Sequence, residues 1–139
     1  MENPSIYVVV VQNKEGGELL GGVRVHVADG RIPLPLEAAI GRMDPRVFEL
    51  IKGYIDEGTG ELCALWNAKK VAGYGFSLLL IRAGISIVTQ IKLNSLFTIC
   101  ADYTMGMVKQ VGFVVEDSLR SFQMRMVNQY IFGNALYFG

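Results

Sequence analysis

The stretch ELCALWNAKKVAGYGFSLLLIRAGISIVTQI, residues 61–91, decides the fold class of this chain. Its apolar residues predict a strand at 61–66 and a buried helix at 76–91, and the two glycines between them predict a loop. At about 1.5 Å per residue the helix covers roughly 24 Å and carries polar side chains, so no membrane span is predicted. A strand, a glycine loop and a helix in this order are typical of a layered α/β fold.

The chain after this stretch continues to alternate between strand and helix patterns. Residues 95–101 predict a strand, 103–111 a short helix and 113–115 an extended segment. We therefore expect an α/β layered core with a parallel strand pair, because strands joined by a crossover helix run parallel. The last apolar segment, 122–138, predicts one or two strands, and the sequence leaves open whether it completes this sheet or pairs with another molecule.

Two strands and a helix are predicted upstream. Residues 6–12, IYVVVVQ, are apolar on both faces, which indicates a strand in the centre of the sheet. The glycine-rich turn that follows predicts an antiparallel hairpin with a second strand at 19–28. Pro33 and Pro35 then predict a loop, because proline lacks a backbone donor. Helical periodicity returns at 44–57.

The composition excludes several classes of protein. The chain has 139 residues, of which 51% are hydrophobic and 19% charged, and this indicates one folded domain over 1–139. Thirteen basic and thirteen acidic residues cancel, so a basic surface for nucleic acid is not predicted. The high apolar share favours a surface covered by a partner, and a homodimer is one such arrangement.

Cysteine usage and the N-terminus indicate a reducing compartment. Cys63 and Cys100 lie in apolar runs with no CxxC motif or neighbouring histidines, so we expect two buried thiols and neither a disulfide framework nor a metal site. The N-terminus has an acidic residue, Glu2, where a signal peptide carries positive charge. A cytoplasmic location is expected.

The loop KVAGYG, residues 70–75, places two glycines directly before a helix N-terminus. Backbone N–H groups can converge on an anion there, and the helix dipole favours phosphate. The spacing lacks the third glycine of a dinucleotide-binding fingerprint and the GK[ST] of a P-loop. The sequence leaves two interpretations of this loop open: a pyrophosphate cradle, or a glycine turn that only leads into a buried helix.

This loop resembles the acyl-CoA pyrophosphate loop, Q/R-x-x-G-x-G/A, of the GNAT acyltransferase superfamily. FSLLLIRAGISIV (76–88) is similar to the family's next helix, SLFTICAD (95–102) to its next strand, and YTMGMVKQVGF (103–113) to a helix that ends in Gly-Phe. The resemblance covers residues 6–115. It implies a mixed, mostly antiparallel sheet flanked by helices, in which two parallel strands splay apart and admit the acyl-pantetheine arm.

The upstream segments LLGGVRVHVADGRIPLPLE (19–37) and GELCALW (60–66) resemble the branch that contains acyl-homoserine-lactone synthases and N-acyl amino acid synthases. The resemblance implies transfer of an acyl group from acetyl-CoA, a longer acyl-CoA or acyl carrier protein to a small amine such as an amino acid. The chain begins on what looks like the family's second strand. We therefore expect the first strand and two helices to be missing, and the acceptor pocket to come from elsewhere.

The resemblance also implies which residues hold the acyl donor. Backbone amides of the loop would bind the pyrophosphate, and strand-edge groups would bind the pantetheine. These residues are Lys70, Val71, Ala72, Gly73, Tyr74 and Gly75 for the pyrophosphate, and Leu65 and Trp66 for the pantetheine.

Three segments depart from the family pattern. Cys63 and Ala64 replace a Ser-Arg pair, the loop lacks an Arg-Gly pair, and Val108 stands where ordinary acetyltransferases have a tyrosine acid. We expect reduced phosphate-binding charge and no tyrosine acid.

Aminolysis of a thioester needs a base that takes the proton of the amine. Glu61, near the expected splay, is the first candidate, and the alternative is an exposed charge at a strand end. His26 is the second candidate base and shares a strand face with Arg24, although a lone strand histidine also occurs as a surface or hydrogen-bonded residue. Arg24 suits a substrate carboxylate or a structural ion pair.

Two further side chains have alternative interpretations. Trp66 suits packing on an acyl chain or on the core. Cys63 suggests a covalent acyl-cysteine, but an apolar setting disfavours the thiolate. Two functions therefore remain open, an N-acyltransferase and a catalytically degenerate GNAT-like domain that binds acyl-CoA or acts as an interaction module.

Overall fold

A mixed β-sheet with helices on both faces forms the fold. The computed structural model describes residues 5–116, 118–119, 124–129 and 133–138. The elements in chain order are β1 (Ile6–Gln12), β2 (Leu19–Val27), α1 (Pro35–Ile40), α2 (Arg46–Ile55), β3 (Thr59–Asn67), α3 (Phe76–Gln90), β4 (Ser95–Ala101), α4 (Asp102–Gln110), β5 (Val114–Val115), β6 (Met124–Gln129) and β7 (Gly133–Phe138).

The sheet combines an antiparallel half with a parallel centre. β1, β2 and β3 pair antiparallel in sequence order, β3 pairs in parallel with β4, and β4 pairs in parallel with β7. β6 lies antiparallel to both β7 and the short β5. The predicted hairpin and the predicted mixed sheet with a parallel pair are confirmed. The sequence left open whether the last segment completes this sheet or pairs with another molecule. The described strands of that segment, β6 and β7, join this sheet.

The parallel ladder between β3 and β4 is short. It pairs Thr59 with Ser95, Gly60 with Leu96 and Glu61 with Phe97, and it ends there. A side-chain hydroxyl reinforces each end, because Ser95 Oγ donates to Thr59 Oγ1 over 2.8 Å and Thr98 Oγ1 donates to the Leu62 carbonyl over 2.8 Å. Beyond this point the two strands diverge.

A β-bulge interrupts β3 just after the ladder ends. Gly22 pairs with Trp66 and Arg24 pairs with Cys63, so two residues of β3 lie opposite one residue of β2. Ala64, inside the bulge, has φ 53°, a left-handed conformation that residues with a Cβ rarely adopt. The bulge bends β3 away from a regular ladder next to the divergence.

Each face of the sheet carries its own core. On one face α3 packs closely on β2 and β3, since a Cβ at Gly84 would lie 2.5 Å from Leu62 Cδ1. On the other face α1 and α2 cover the start of β3 and β4, with Phe97 fully buried and edge-on to Tyr54. Among the described residues, no helix combines the length and the apolar character needed to cross a membrane.

The prediction that residues 6–12 form a central strand is wrong. Within the described part of the chain β1 pairs only with β2 and lies at the edge of the sheet. Tyr7 and Val9 pack on the core under α3, whereas Ile6 and Val8 are exposed on the opposite face. An apolar run is thus compatible with a strand that is covered on one face only.

The prediction of a loop around Pro33 and Pro35 holds for Pro33 and is wrong for Pro35. Helix α1 begins at Pro35, because proline lacks only an N–H that the first turn of a helix leaves unused. The Glu37 carboxylate accepts a hydrogen bond from the Leu34 amide over 2.9 Å and so caps this short helix. Pro33 alone stays outside regular structure.

Replacing Ala64 by glycine is expected to stabilise the protein by about 1 kcal/mol, because glycine adopts the left-handed conformation without the Cβ clash. Urea unfolding of the wild type and A64G measures the change. The matched control is Ala39→Gly in helix α1, which is expected to lose about 1 kcal/mol. Equal destabilisation by both exchanges would contradict the strain assigned to Ala64.

Candidate functional site

A cleft opens where β3 and β4 diverge. Its volume is about 280 Å³, and its walls include Leu62 and Leu65 from β3, Thr98 and Cys100 from β4, and Met107 from α4. Because the β3–β4 ladder ends at Glu61, the edges of both strands beyond it have no ladder partner across the cleft. Backbone groups on these edges are available to the amides of an extended ligand.

The glycine loop lies at the outer end of this cleft. A second cavity of about 320 Å³ is lined by Asn67, by Gly73 and Gly75 of the loop, by the start of α3 and by Met107. Met107 lines both cavities, so the two adjoin at this residue, and together they are called the groove below. The groove runs from the N-terminus of α3 to the end of the β3–β4 ladder.

Only some of the amides of the loop are free to donate to a ligand. The N–H groups of Val71, Ala72 and Tyr74 donate to carbonyls within the turn, so they are not free to bind a ligand. The predicted pyrophosphate cradle of residues 70–75 therefore has fewer available amides than expected. Among the described residues, no hydrogen bond uses the N–H of Gly73 or Gly75, whose φ angles of 84° and 79° only glycine adopts readily. Together with the amides of the first turn of α3, which have no partner within the helix, they are the N–H groups available to an anion.

Polar side chains hold the loop in place. Ser77 Oγ donates to Asn67 Oδ1 over 3.0 Å and connects the first turn of α3 to the end of β3. Lys70 forms an exposed ion pair with Glu18, so its ammonium group is directed to the β1–β2 turn. Lys70 therefore adds positive charge near the loop without pointing into the groove.

Glu61 belongs to the last pair of the β3–β4 ladder, just before the cleft, and is almost fully buried, with 2% of its surface exposed. Its Oε2 accepts a hydrogen bond from the Leu36 amide of α1 over 2.8 Å. Burial raises the pKa of Glu61 to about 7, against the lowering effect of that amide. The alternative of an exposed strand-end charge does not apply, and a carboxyl group that titrates near neutral pH suits a general base.

His26 stands directly opposite Glu61 in the sheet register. Burial lowers the pKa of His26, and the positive charge of Arg24 adds to this, so the ring is neutral at pH 7. Its Nε2 is buried and, within the described part of the chain, has no hydrogen-bond partner. The structure thus brings the two predicted base candidates into adjacent positions.

Arg24 lies on the same face, opposite Cys63. Its side chain is exposed and forms no ion pair with any described residue, so the structural alternative for Arg24 has no support there. Cys63 is half-buried rather than buried, which corrects the expectation, and Cys100 is buried; both thiols are free. Burial raises the pKa of each thiol to about 11, so neither favours a thiolate nucleophile.

The ring of Trp66 lies outside the groove. Its Nε1 approaches Gly22, and the ring is on the face opposite α3 with 44% of the residue exposed. Trp66 therefore neither packs in the core nor lies where it could stack on a ligand inside the cleft. Leu65, in contrast, lines the cleft and packs on the core under α3.

Three contributions to the site were not predicted. Thr98 bridges the strands at the cleft's inner end, the Leu36 amide holds Glu61, and Ala64 bends β3. A threonine in the otherwise apolar run SLFTICA is a weak signal for the first. The other two depend on tertiary contacts and on an unusual backbone angle, for which this sequence has no signal.

A solved structure shares the fold of this chain. The crystal structure of an acetyltransferase from Trypanosoma brucei matches with a TM-score of 0.58 at 12% sequence identity, and the match covers 81% of this chain and 64% of that chain. This chain therefore shares the fold of that acetyltransferase. The match spans less than two thirds of the trypanosome protein, and at this identity it shows the fold alone. No protein-family model and no curated protein sequence matches the chain.

The raised pKa of Glu61 predicts a stability that falls with rising pH. Between pH 4.5 and 7 the folded protein keeps a proton on Glu61 that the unfolded chain releases, so unfolding becomes easier across this window. Glu61→Gln removes this loss and is expected to gain up to about 3 kcal/mol over the wild type at pH 8, and little at pH 4.5. Urea unfolding at both pH values measures the difference. Identical pH dependence of the two proteins would contradict the assignment.

Proposed function

We propose that this protein is an N-acyltransferase that moves an acyl group from acyl-CoA to a small amine. The observation that carries the proposal is the groove, which joins a glycine-rich loop at a helix N-terminus to a cleft between two diverging parallel strands. Glu61, whose carboxyl group is buried, belongs to the last ladder pair before this cleft. The acetyltransferase-like fold supports the general class of reaction. The acyl donor, the acceptor and the roles of the residues belong to the proposal.

The donor would lie along the groove. Its pyrophosphate would bind the amides of Gly73, Gly75 and the first turn of α3, where the helix dipole favours negative charge. Its pantetheine amides would hydrogen-bond the free strand edge near Leu65 and Trp66, as an added strand does. The thioester would then reach the inner end of the cleft, beside Glu61.

The chemistry at that end is aminolysis. The amine nitrogen attacks the thioester carbonyl, the carbon–sulfur bond breaks, and the thiolate leaves and takes up a proton. Glu61 would accept the proton of the amine, and a pKa near 7 keeps an adequate share of the carboxylate in its basic form at neutral pH. The neutral ring of His26, opposite Glu61, would relay that proton toward the surface.

The acceptor would approach from the face that carries Arg24. This guanidinium is exposed, lies opposite Cys63 and near Glu61, and suits bidentate binding of a carboxylate. An acceptor with both an amine and a carboxylate, such as an amino acid, fits this placement. The sequence resemblance to N-acyl amino acid synthases supports the same acceptor class.

A second function is supported by the burial of Glu61. Its hydrogen bond to the Leu36 amide holds α1 against β3, which is a structural role that needs no catalysis. A domain that binds acyl-CoA without turning it over is consistent with that contact.

A negative charge placed in the loop is expected to weaken donor binding. Gly73→Asp brings a carboxylate to the proposed pyrophosphate site, and calorimetric titration with acetyl-CoA should show at least a tenfold loss of affinity, about the effect of 1.4 kcal/mol. Gly73→Asn is the matched control, since asparagine has the same size without the charge and also tolerates a positive φ. Equal loss in both variants would show that size matters and charge does not.

The base assignment predicts a pH-dependent turnover. The acyl-transfer rate of the wild type should rise as pH increases through about 7, because Glu61 is active in its deprotonated form. Glu61→Gln should lose about 100-fold or more in kcat while it still binds acetyl-CoA. Release of free CoA in the presence of a mixture of amino acids measures the rate. Binding without turnover in the wild type would favour the non-catalytic domain.

A further inference from the structure

The inner end of the cleft is closed by a single side-chain hydrogen bond. The next ladder pair after Glu61 and Phe97 would be Leu62 and Thr98, but these two residues are joined through the Thr98 hydroxyl instead of through a ladder pair. Both side chains are buried, with 3% and 7% of their surfaces exposed. Thr98 therefore marks the point at which the strands stop being paired.

The structure behind this point is densely packed. Phe97, in the last ladder pair, packs on the α1–α2 face, is completely buried, and meets Tyr54 edge-on with ring centroids 5.3 Å apart. On that face the Glu61 carboxylate is occupied by the Leu36 amide. A ligand that extends past Thr98 has to displace either this packing or the ladder itself.

The volume of the cleft is small for its proposed ligand. If each non-hydrogen atom needs about 30 Å³, the share of one water molecule in the liquid, about 280 Å³ holds about nine atoms. The β-alanyl and cysteamine units at the end of a pantetheine arm fill this space. Little volume then remains for an acyl chain.

We infer that the Thr98–Leu62 hydrogen bond sets the acyl-length limit of the cleft and restricts the donor to short acyl groups such as acetyl or propionyl. The inference rests on the proposed function, because it assigns the cleft to the acyl-pantetheine arm. Thr98 acts as a positioning residue: it keeps β3 and β4 together at the stop. It does not take part in proton transfer.

The test is the affinity of the full chain for free CoA, acetyl-CoA and octanoyl-CoA, measured by calorimetric titration. Free CoA and acetyl-CoA should bind with similar affinity. Octanoyl-CoA should bind about 10-fold to 100-fold more weakly, because its chain forces an overpacked core to rearrange. Equal affinity for acetyl-CoA and octanoyl-CoA would overturn the length limit while leaving the proposed function intact.

Variants of Thr98 then test the residue itself. Thr98→Val has nearly the same shape without the hydroxyl, so the divergence can extend toward Glu61 and the octanoyl-to-acetyl affinity ratio should move at least several-fold toward one. Thr98→Ser keeps the hydroxyl and should keep the wild-type ratio. An unchanged ratio in folded Thr98→Val would overturn the role of Thr98. Should that variant fail to fold, Thr98→Ala provides the same comparison.

Failure of the proposed acyl-CoA site gives a different result. In that case free CoA binds to neither the wild type nor Thr98→Ser, and the inference about acyl length falls with it. Binding of free CoA with weaker binding of octanoyl-CoA supports the acyl-CoA site and its length limit, and release of CoA in the presence of amino acids then tests the transferase activity. Even if every Thr98 variant is unstable, the affinities of the wild type for acetyl-CoA and octanoyl-CoA decide whether the cleft limits acyl length.

Discussion

The parallel ladder between β3 and β4 is the constraint on which the rest of the site depends. Its last pair, Glu61 with Phe97, sets the position at which the strands part, and a threonine hydroxyl secures it. A longer ladder would close the cleft, and a shorter one would expose the core around Phe97. The groove, its open strand edges and the location of Glu61 all follow from where this pairing ends.

Glu61 connects the two faces of the sheet. Its backbone belongs to the last ladder pair beside the cleft, while its carboxyl group holds the first turn of α1 through the Leu36 amide. A buried carboxyl group costs stability when it is charged, and this cost is what brings its pKa near neutrality. The features that make Glu61 suitable as a base therefore also make it a weak point of the folded protein, as is common at functional sites.

The sequence predicted the fold better than it predicted the site. Residues 61–91 combine an apolar strand pattern, glycines and a long apolar helix, and each of these local signals agrees with the structure. The edge position of β1 was missed because an apolar run does not show which of its faces a helix will cover. The sequence predicted too many free amides in the loop. The amides of Val71 and Ala72 donate hydrogen bonds within a tight turn, and the glycine spacing does not encode this turn.

The bulge at Ala64 has a consequence for everything that follows it in β3. Side chains of a strand alternate between its two faces, and one extra residue reverses that alternation. For this reason Leu65 joins the core under α3, and Trp66 shares a face with Cys63 although the two positions are an odd number of residues apart. The bulge therefore sets which face of the sheet each later side chain of β3 occupies. Deletion of a single residue here would turn Leu65 outward and place the indole of Trp66 in the interior.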